Sequence, residues 1–389
     1  MILEEIIDAH AQNPREWVKP DQFDLSSSAD RNEVARRFES GEIRTSIDRR
    51  TEIADDLFDM HFPTLSDDIQ ARVEYKMSIN DQGLGFGNWF HFKWKQTLER
   101  YPTKADHQAL RTYRNKNLVT DAEQQKMLEA KIAVFGLSVG SNILEQLAQG
   151  GIGGTLIMGD YDKLSPTNLN RVKASMAQVG MRKVDLMATK VSEIDPYIQQ
   201  VHFEDGVTRD SLSQLANTQP DVIFDEVDDL AAKVMLRRFA RKTRTPIVMA
   251  TDLGDKSIID IERYDVHDPE PFGGRINKKE LELLESETLS AEQKQRMMIK
   301  IVGIRNMTPR LLDSAMKIDE TLGGLPQLGT TAAACGELAA VAVREILLGR
   351  KMNSDRYVSS PKRILHMQHQ TTFAEAAKTV IAFSKNKNK

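Results

Sequence analysis

Gly136-Leu-Ser-Val-Gly140-Ser141-Asn142 stands directly after the apolar run KIAVFG (131–136) and directly before a helical pattern. A strand, a glycine turn and a helix in that order let backbone approach phosphate oxygens closely. The helix N-terminus adds unpaired N–H groups and partial positive charge. The turn keeps two glycines rather than a full GxGxxG, with Ser138 where another would stand. Asp160 follows about 20 residues after Gly140, at the tip of the next apolar run, where an acid can accept hydrogen bonds from ribose hydroxyls. Glycines kept only for tight helix–strand packing are the alternative; the Asp160 spacing favours nucleotide binding.

The residues that follow select the nucleotide. GDYDKLSPTNLNR carries Asp162, Asn168 and Arg171, VGMRK contributes Lys183, and DEVDD contributes Asp228. Arginine grips phosphate through a planar fork, lysine acts as a mobile point charge, and an acid can hold a metal that bridges phosphate oxygens. That set suits a triphosphate better than a dinucleotide. Taken singly, each residue has a plainer use. Arg171 could pair with a surface acid, Lys183 could start a helix in solvent, and Asp228 or Asp229 could cap the helix that follows. Their order along the chain favours the nucleotide.

The elements that must position these groups are strands alternating with helices. TLIMG (155–159), residues 197–203, DVIFD (221–225) and PIVMA (246–250) are short apolar runs of the kind buried on both faces of a sheet. Ile143, Leu144 and Leu147 stripe one helix between them, and Val184, Met187, Ala188, Val191 and Ile194 stripe another. The expected fold is α/β, a Rossmann-like, mostly parallel sheet with flanking helices. A mainly helical N-terminal region and helical C-terminal additions complete it. Three parts are expected: an N-terminal helical and aromatic region (1–118), a Rossmann-like nucleotide-binding core (119–265) and a helical region (266–389) packing on that core. Residues 278–300 are charged and expected to be exposed on one side, and 329–349 form a small-residue helix ending at Gly349. The first part holds all three tryptophans (Trp17, Trp89, Trp94). Its GFGNWFHFKW (85–94) reads as a packed loop or edge strand, or else as a stacking surface for an aromatic ligand.

DYDKLSPTNLNR, then VGMRK, then DEVDD resembles the ThiF/MoeB-type superfamily, the adenylating relatives of ubiquitin-activating enzymes. The resemblance spans roughly 114–265 and extends more weakly into 325–349. FGLSVGS and PIVMATDLGD…DIERYD are similar to a bacterial branch sometimes fused to nitroreductase-like domains, none of which is expected in this chain. The resemblance implies ATP and magnesium, and attack of a substrate carboxylate on the α-phosphate to give an acyl-adenylate and pyrophosphate. It implies Asp160 as the ribose acid, Asn168, Arg171 and Lys183 as the phosphate-binding and transition-state-stabilising set, and Asp228 as the magnesium-associated acid. The nucleotide-binding set then comprises Gly136, Gly140, Ser141, Asp160, Asp162, Asn168, Arg171, Lys183 and an N-terminal arginine often supplied by a partner subunit. In TYRNKN that residue is Arg114 or, as the alternative, Lys116. No general base is needed, because a carboxylate is already ionised near neutral pH. The glycine turn is one residue shorter than the family's usual GxGGxG.

Many such relatives use a cysteine thiol and CxxC zinc sites. Here the lone cysteine, Cys335, lies in TTAAACGELAAVAV, where it reads as a small buried hydrophobe, so no thioester step is expected. Composition supports a globular chain: 389 residues, 40% hydrophobic, 28% charged, net charge −4. The mild acidity gives no attraction to DNA, and no apolar run nears the ~20 residues that span a bilayer. MILEEIIDAHAQ lacks the order of a signal peptide, and the terminal KNKNK reads as a solubilising tail, so a cytoplasmic location is expected. The expected partners are a carboxylate substrate (a peptide or carrier-protein C-terminus, or a small acid) and a second copy of the chain in a homodimer. Two further functions compete with adenylation: an NAD(P)-binding oxidoreductase and a non-catalytic nucleotide-binding scaffold subunit.

Overall fold

The computed structural model describes residues 16–285, 289–318 and 321–365, so MILEEIIDAHAQ and KNKNK lie outside the described residues. The chain divides into two compact units. The first comprises Met1–Leu128, Ala148–Gly154 and Ala188–Gln199; the second comprises Glu129–Leu147, Thr155–Met187 and Gln200–Lys389.

In the first unit, helices Ser28–Glu39, Arg50–His61, Ile69–Asp81 and Lys104–Thr112 supply most of the regular structure. Polar caps start three of them: the side chains of Ser27, Asp68 and Thr103 accept backbone N–H groups of Asp30, Ala71 and Asp106. A four-stranded sheet accompanies the helices, which the polar texture of this region did not disclose. Its strands β1 (Asp21–Phe23), β2 (Thr45–Ile47), β3 (Asn88–Phe92) and β4 (Thr97–Tyr101) lie in the order β1-β3-β4-β2. The aromatic segment is therefore an interior strand, β3, where an edge strand was one expectation. Phe90 and Phe92 are buried against Tyr101 and Tyr197 rather than offered as a stacking surface. Tyr197 explains why this strand suits aromatics. Its ring meets Phe90 edge-on at 5.1 Å, and its hydroxyl donates to the Pro102 carbonyl (2.6 Å) while accepting from Asn88 (2.8 Å).

The second unit carries a seven-stranded sheet in the order β11-β10-β9-β8-β5-β6-β7. The strands are β5 (Lys131–Phe135), β6 (Thr155–Gly159), β7 (Gln199–Phe203), β8 (Val222–Asp225), β9 (Ile247–Leu253), β10 (Lys256–Glu262) and β11 (Asp355–Ser359). The pairs β5–β6, β5–β8 and β8–β9 are parallel, and β9–β10 and β10–β11 are antiparallel. The expected mostly parallel sheet is present, with flanking helices Val139–Gly150, Lys183–Ile194, Arg209–Thr218 and Leu230–Thr243. The core joins Ala133, Phe135, Ile157, Ile223, Leu236 and Ile247, residues of the apolar runs and of the helix faces turned toward them. The antiparallel pair β10–β11 extends the sheet beyond the five strands the apolar runs marked.

Helix Gly329–Leu347 lies against β9 and β10. Its small residues permit a close approach: a side chain at Gly336 would come within 2.8 Å of Asn142. Gly349, just past its end, has φ +69, the left-handed conformation that ends helices at glycine. The strand order reverses at β5: β6 and β7 lie on one side, β8 and β9 on the other. In an open sheet of this kind a crevice forms outside the carboxyl ends of the strands at the reversal point.

Candidate active site

The crevice at that reversal holds two cavities that share a wall. One, of 220 Å³, is lined by Gly136, Asp160, Tyr161, Gly206, Asp229 and Ala232 among others. The other, of 380 Å³, is lined by Lys163, Asn168, Arg171, Glu226, Asp252 and Gln327 among others. Ser138, Asp162, Lys183, Glu226, Val227 and Asp228 line both.

The glycine turn is shaped by the strand beside it. Gly136 has φ +88, and a Cβ there would overlap the Glu226 carbonyl oxygen, so only glycine lets the turn pass under the end of β8. A Cβ on Gly140 would fall 2.8 Å from the Val134 side chain, which makes this glycine the close-packing point between β5 and its helix. Gly140 and Ser141 are buried in the first turn of that helix, and neither lines either of these two cavities; Ser141 Oγ donates to the Ser138 carbonyl (2.7 Å).

Asp160 is buried at the tip of β6, and both its oxygens accept backbone N–H groups: Oδ2 from Leu137 (2.6 Å) and Oδ1 from Asp162 (2.7 Å). The acid thus staples the glycine turn to β6, a task its sequence spacing did not reveal. Burial pushes its carboxyl above the usual aspartate value, while the Lys183 charge and the two N–H groups draw it down. Lys183, itself buried, stands 2.7 Å from Asp162 Oδ2 and 3.8 Å from Asp160 Oδ2. Asn168 uses Oδ1 to accept from Ser165 N (3.1 Å), closing the turn Pro166–Asn168. Arg171 is steered by Nε to Ser138 Oγ (2.9 Å) and by Nη1 to the Thr167 carbonyl (3.1 Å). Asn142 ties the backbone of Arg171 to the glycine-turn helix (3.1 Å).

At the end of β8, neighbouring acids have separate tasks. Asp229 caps helix Leu230–Thr243 by accepting from Ala232 N (2.7 Å), the plainer use that the sequence allowed for either aspartate. Asp228 is exposed, lines both cavities and forms no ion pair among the described residues. Asp225 is wholly buried and held by Lys233 (3.0 Å) and Arg237 (2.5 Å), one turn apart on that helix. Burial opposes its ionisation, but these two cations outweigh burial and hold the carboxyl below its usual value. Among the described residues no three metal-ligating side chains gather. Magnesium binds through one or two carboxylates with phosphate oxygens and water, so Asp228 offers a donor set that fits it.

Sequence reasoning missed several lining residues. Ser138 orients Arg171, and Lys163 adds a second cation from the DYDKL segment. Glu226 accepts from Ala250 N (2.7 Å), and burial pushes its carboxyl well above the usual range. Asp252 sits where the apolar run of β9 gives way to polar residues, the one signal that marked it. Burial pushes its carboxyl up to about 6, with Gln327 and Arg171 drawing it down and Asp228 adding to the rise. Arg114 and Lys116 belong to the first unit, in and just after the turn Tyr113–Asn115, and are not among the lining residues of either cavity.

Comparison with known proteins agrees with the motif order. An uncharacterized protein of Mycobacterium tuberculosis is 32% identical over 269 residues, 69% of this chain and 37% of that protein. The tRNA threonylcarbamoyladenosine dehydratase of Escherichia coli is 31% identical over 132 residues, 33% of this chain and 49% of that enzyme. The sulfur carrier protein ThiS adenylyltransferase of Escherichia coli is 26% identical over 133 residues, 34% of this chain and 52% of that enzyme. The chain thus spans between 37% and 52% of the length of these curated relatives. The ThiF family model matches residues 111–379, which contain the glycine turn, Asp160, Arg171, Lys183 and Asp228; the chain belongs to the ThiF family.

Proposed function

We propose that this chain catalyses ATP-dependent adenylation of a carboxylate, releasing pyrophosphate and leaving an acyl-adenylate. The observation that carries the reading is the shared wall of the two cavities, where Lys183 and Asp228 border both a nucleoside-sized space at Asp160 and a larger space lined by Arg171 and Lys163. Two anions must meet in this reaction, so charge repulsion and the charge of the departing pyrophosphate dominate the barrier. Cationic donors held in advance by Asp162 and Ser138 lower both.

In this reading Asp160 accepts the ribose hydroxyls through lone pairs left over from its backbone bonds, and the Gly136 turn admits the α-phosphate. Asn168, Arg171 and Lys183 bind the triphosphate. Asp228 holds magnesium, whose chemistry is neutralisation of phosphate charge. The oxygen of the substrate carboxylate attacks the α-phosphorus, and the bond to the bridging oxygen of pyrophosphate breaks. The relatives' printed activities, on a sulfur carrier protein and on a modified tRNA, leave the acid here open between a carrier or peptide C-terminus and a small molecule. A homodimer in which a second copy supplies Arg114 or Lys116, and a cytoplasmic location, belong to the same proposal. Among the described residues no helix is long and apolar enough to cross a membrane.

The test compares thermal stabilisation by magnesium–ATP with that by NADPH, then measures ATP–pyrophosphate exchange with offered acids. Stabilisation by ATP and acid-dependent exchange are expected. A shift with NADPH alone would favour an oxidoreductase, and tight ATP binding without exchange a scaffold subunit. Cys335 is buried and its thiol is pushed up by burial, so it supplies no ready thiolate. Cys335→Ala is expected to leave exchange within about twofold of the parent, and complete loss of product formation in a folded variant that still exchanges would restore a thioester step.

A further inference from the structure

Asp252 is an acid that the adenylation reading leaves without a task. It lies in β9, is 7% exposed, and lines the larger cavity. The Gln327 amide donates to its Oδ1 (3.1 Å), whereas its buried Oδ2 has no hydrogen-bond partner. A buried carboxylate oxygen without a donor is costly, and proteins rarely keep one unless a ligand completes it. Its surroundings say which kind of donor. Asp162 is matched by Lys183, and Asp225 by Lys233 and Arg237. Glu226, Asp228 and Asp252 line the same cavity and form no ion pair among the described residues. Asp228 is taken by magnesium in the adenylation reading and burial favours the neutral form of Glu226, so the charge left to answer is that of Asp252 itself. A hydroxyl would satisfy its orphaned oxygen but leave that buried carboxylate with no ion pair among the described residues; a cationic N–H donor answers both.

We propose that the acid activated here carries a protonated amino group, and that this ammonium donates a hydrogen bond to Oδ2 of Asp252. The substrate class is then an amino-bearing carboxylic acid, its carboxylate toward the phosphate-binding cations and its ammonium toward β9. This rests on the adenylation reading. The raised proton affinity of Asp252 agrees with a carboxylate awaiting a cation, since an ammonium beside it would favour the ionised form.

The experiment uses the full chain with magnesium–ATP. Exchange is measured with matched acids: glycine against acetate, β-alanine against propionate, γ-aminobutyrate against butyrate, lysine against its des-amino analogues, and the hydroxy acids as a third arm. At least one amino acid is expected to drive exchange roughly 10- to 100-fold faster than its unsubstituted partner, the usual scale for a hydrogen bond to a charged group. Asp252→Asn and Asp252→Ser should shrink that ratio to about threefold or less while the ATP-induced thermal shift persists. Asp252→Asn should also raise Tm at pH 8, because it removes an uncompensated buried charge, whereas a merely structural Asp252 would give a lower Tm. Equal exchange with amino and unsubstituted acids, preference for the hydroxy acids, or an unchanged ratio in the variants each overturns the amino-group proposal alone, because exchange itself persists. No exchange with any acid, with or without an ATP-induced shift, overturns instead the adenylation reading on which the proposal rests.

Discussion

Lys183→Ala is expected to lower acid-dependent ATP–pyrophosphate exchange by about 100- to 1,000-fold, the scale on which one preorganised charge donor acts at a developing anion. The side chain is buried on the wall common to both cavities, where water screens it poorly. Asp162 at 2.7 Å and Asp160 at 3.8 Å hold the ammonium in place before any ligand arrives, so little reorganisation is needed at the moment of reaction. Lys183→Arg should not rescue the rate, because a planar fork cannot occupy the site of a compact ammonium between two carboxylates. Removing the cation also leaves Asp160 without its nearest positive charge, so the folded state must be verified by circular dichroism and by Tm. A folded Lys183→Ala protein that retains exchange within threefold of the parent would sink the assignment.

Arg237→Ala is the substitution expected to cost the fold most, about 3–5 kcal/mol, the scale for removing one partner of a buried ion pair. Its guanidinium is buried, bonded to Asp225 (2.5 Å) and Glu262 (2.9 Å), and stacked 3.7 Å over Phe272. Among the described residues, truncation leaves Asp225 with the Lys233 ammonium, and Glu262 with the Tyr264 hydroxyl and the Phe272 N–H. Urea unfolding should show a lower midpoint with an unchanged slope. The effect should also depend on pH in a defined direction. Asp225 is held below its ordinary value of 3.8, so its contribution is complete above that value and is lost as pH falls below it. Parent and variant should therefore converge in stability at strongly acidic pH; a constant gap there would mean that packing on Phe272, not charge pairing, carries the loss.

This network bears on the site because it anchors the loop that presents Glu226 and Asp228. Asp225 closes β8, and Lys233 and Arg237 clamp the first turns of the following helix to it. A variant that loosens the clamp is expected to lose exchange along with stability, whereas Lys183→Ala loses exchange alone.

Much of the frame was legible in the residues. Each of the five apolar runs became a strand of the large sheet, because a strand buried on both faces announces itself as continuous hydrophobicity. The stripes at 143–147 and 184–194 became helices for the same local reason. Lys183 and Arg171 could be placed together from the order of their segments, since parallel strands deliver their carboxyl-end loops to one edge. Asp160 was legible as a residue of the crevice but not as a staple, because one of the two backbone groups it binds, the Leu137 N–H, is contributed by a turn 23 residues earlier in the chain.

By itself, then, the sequence determined an α/β sheet, a glycine turn at its centre and a set of cations and acids at the strand ends, because periodicity and motif order are local properties of a chain. Only the tertiary structure decided that β10 and β11 extend the sheet antiparallel, that the aromatic segment is an interior strand, and that Asp225 is spent on a buried clamp. It alone left Asp252 with an unanswered oxygen. Strand pairing, burial and the presence or absence of a hydrogen-bond partner depend on groups distant in sequence, and no local pattern carries them.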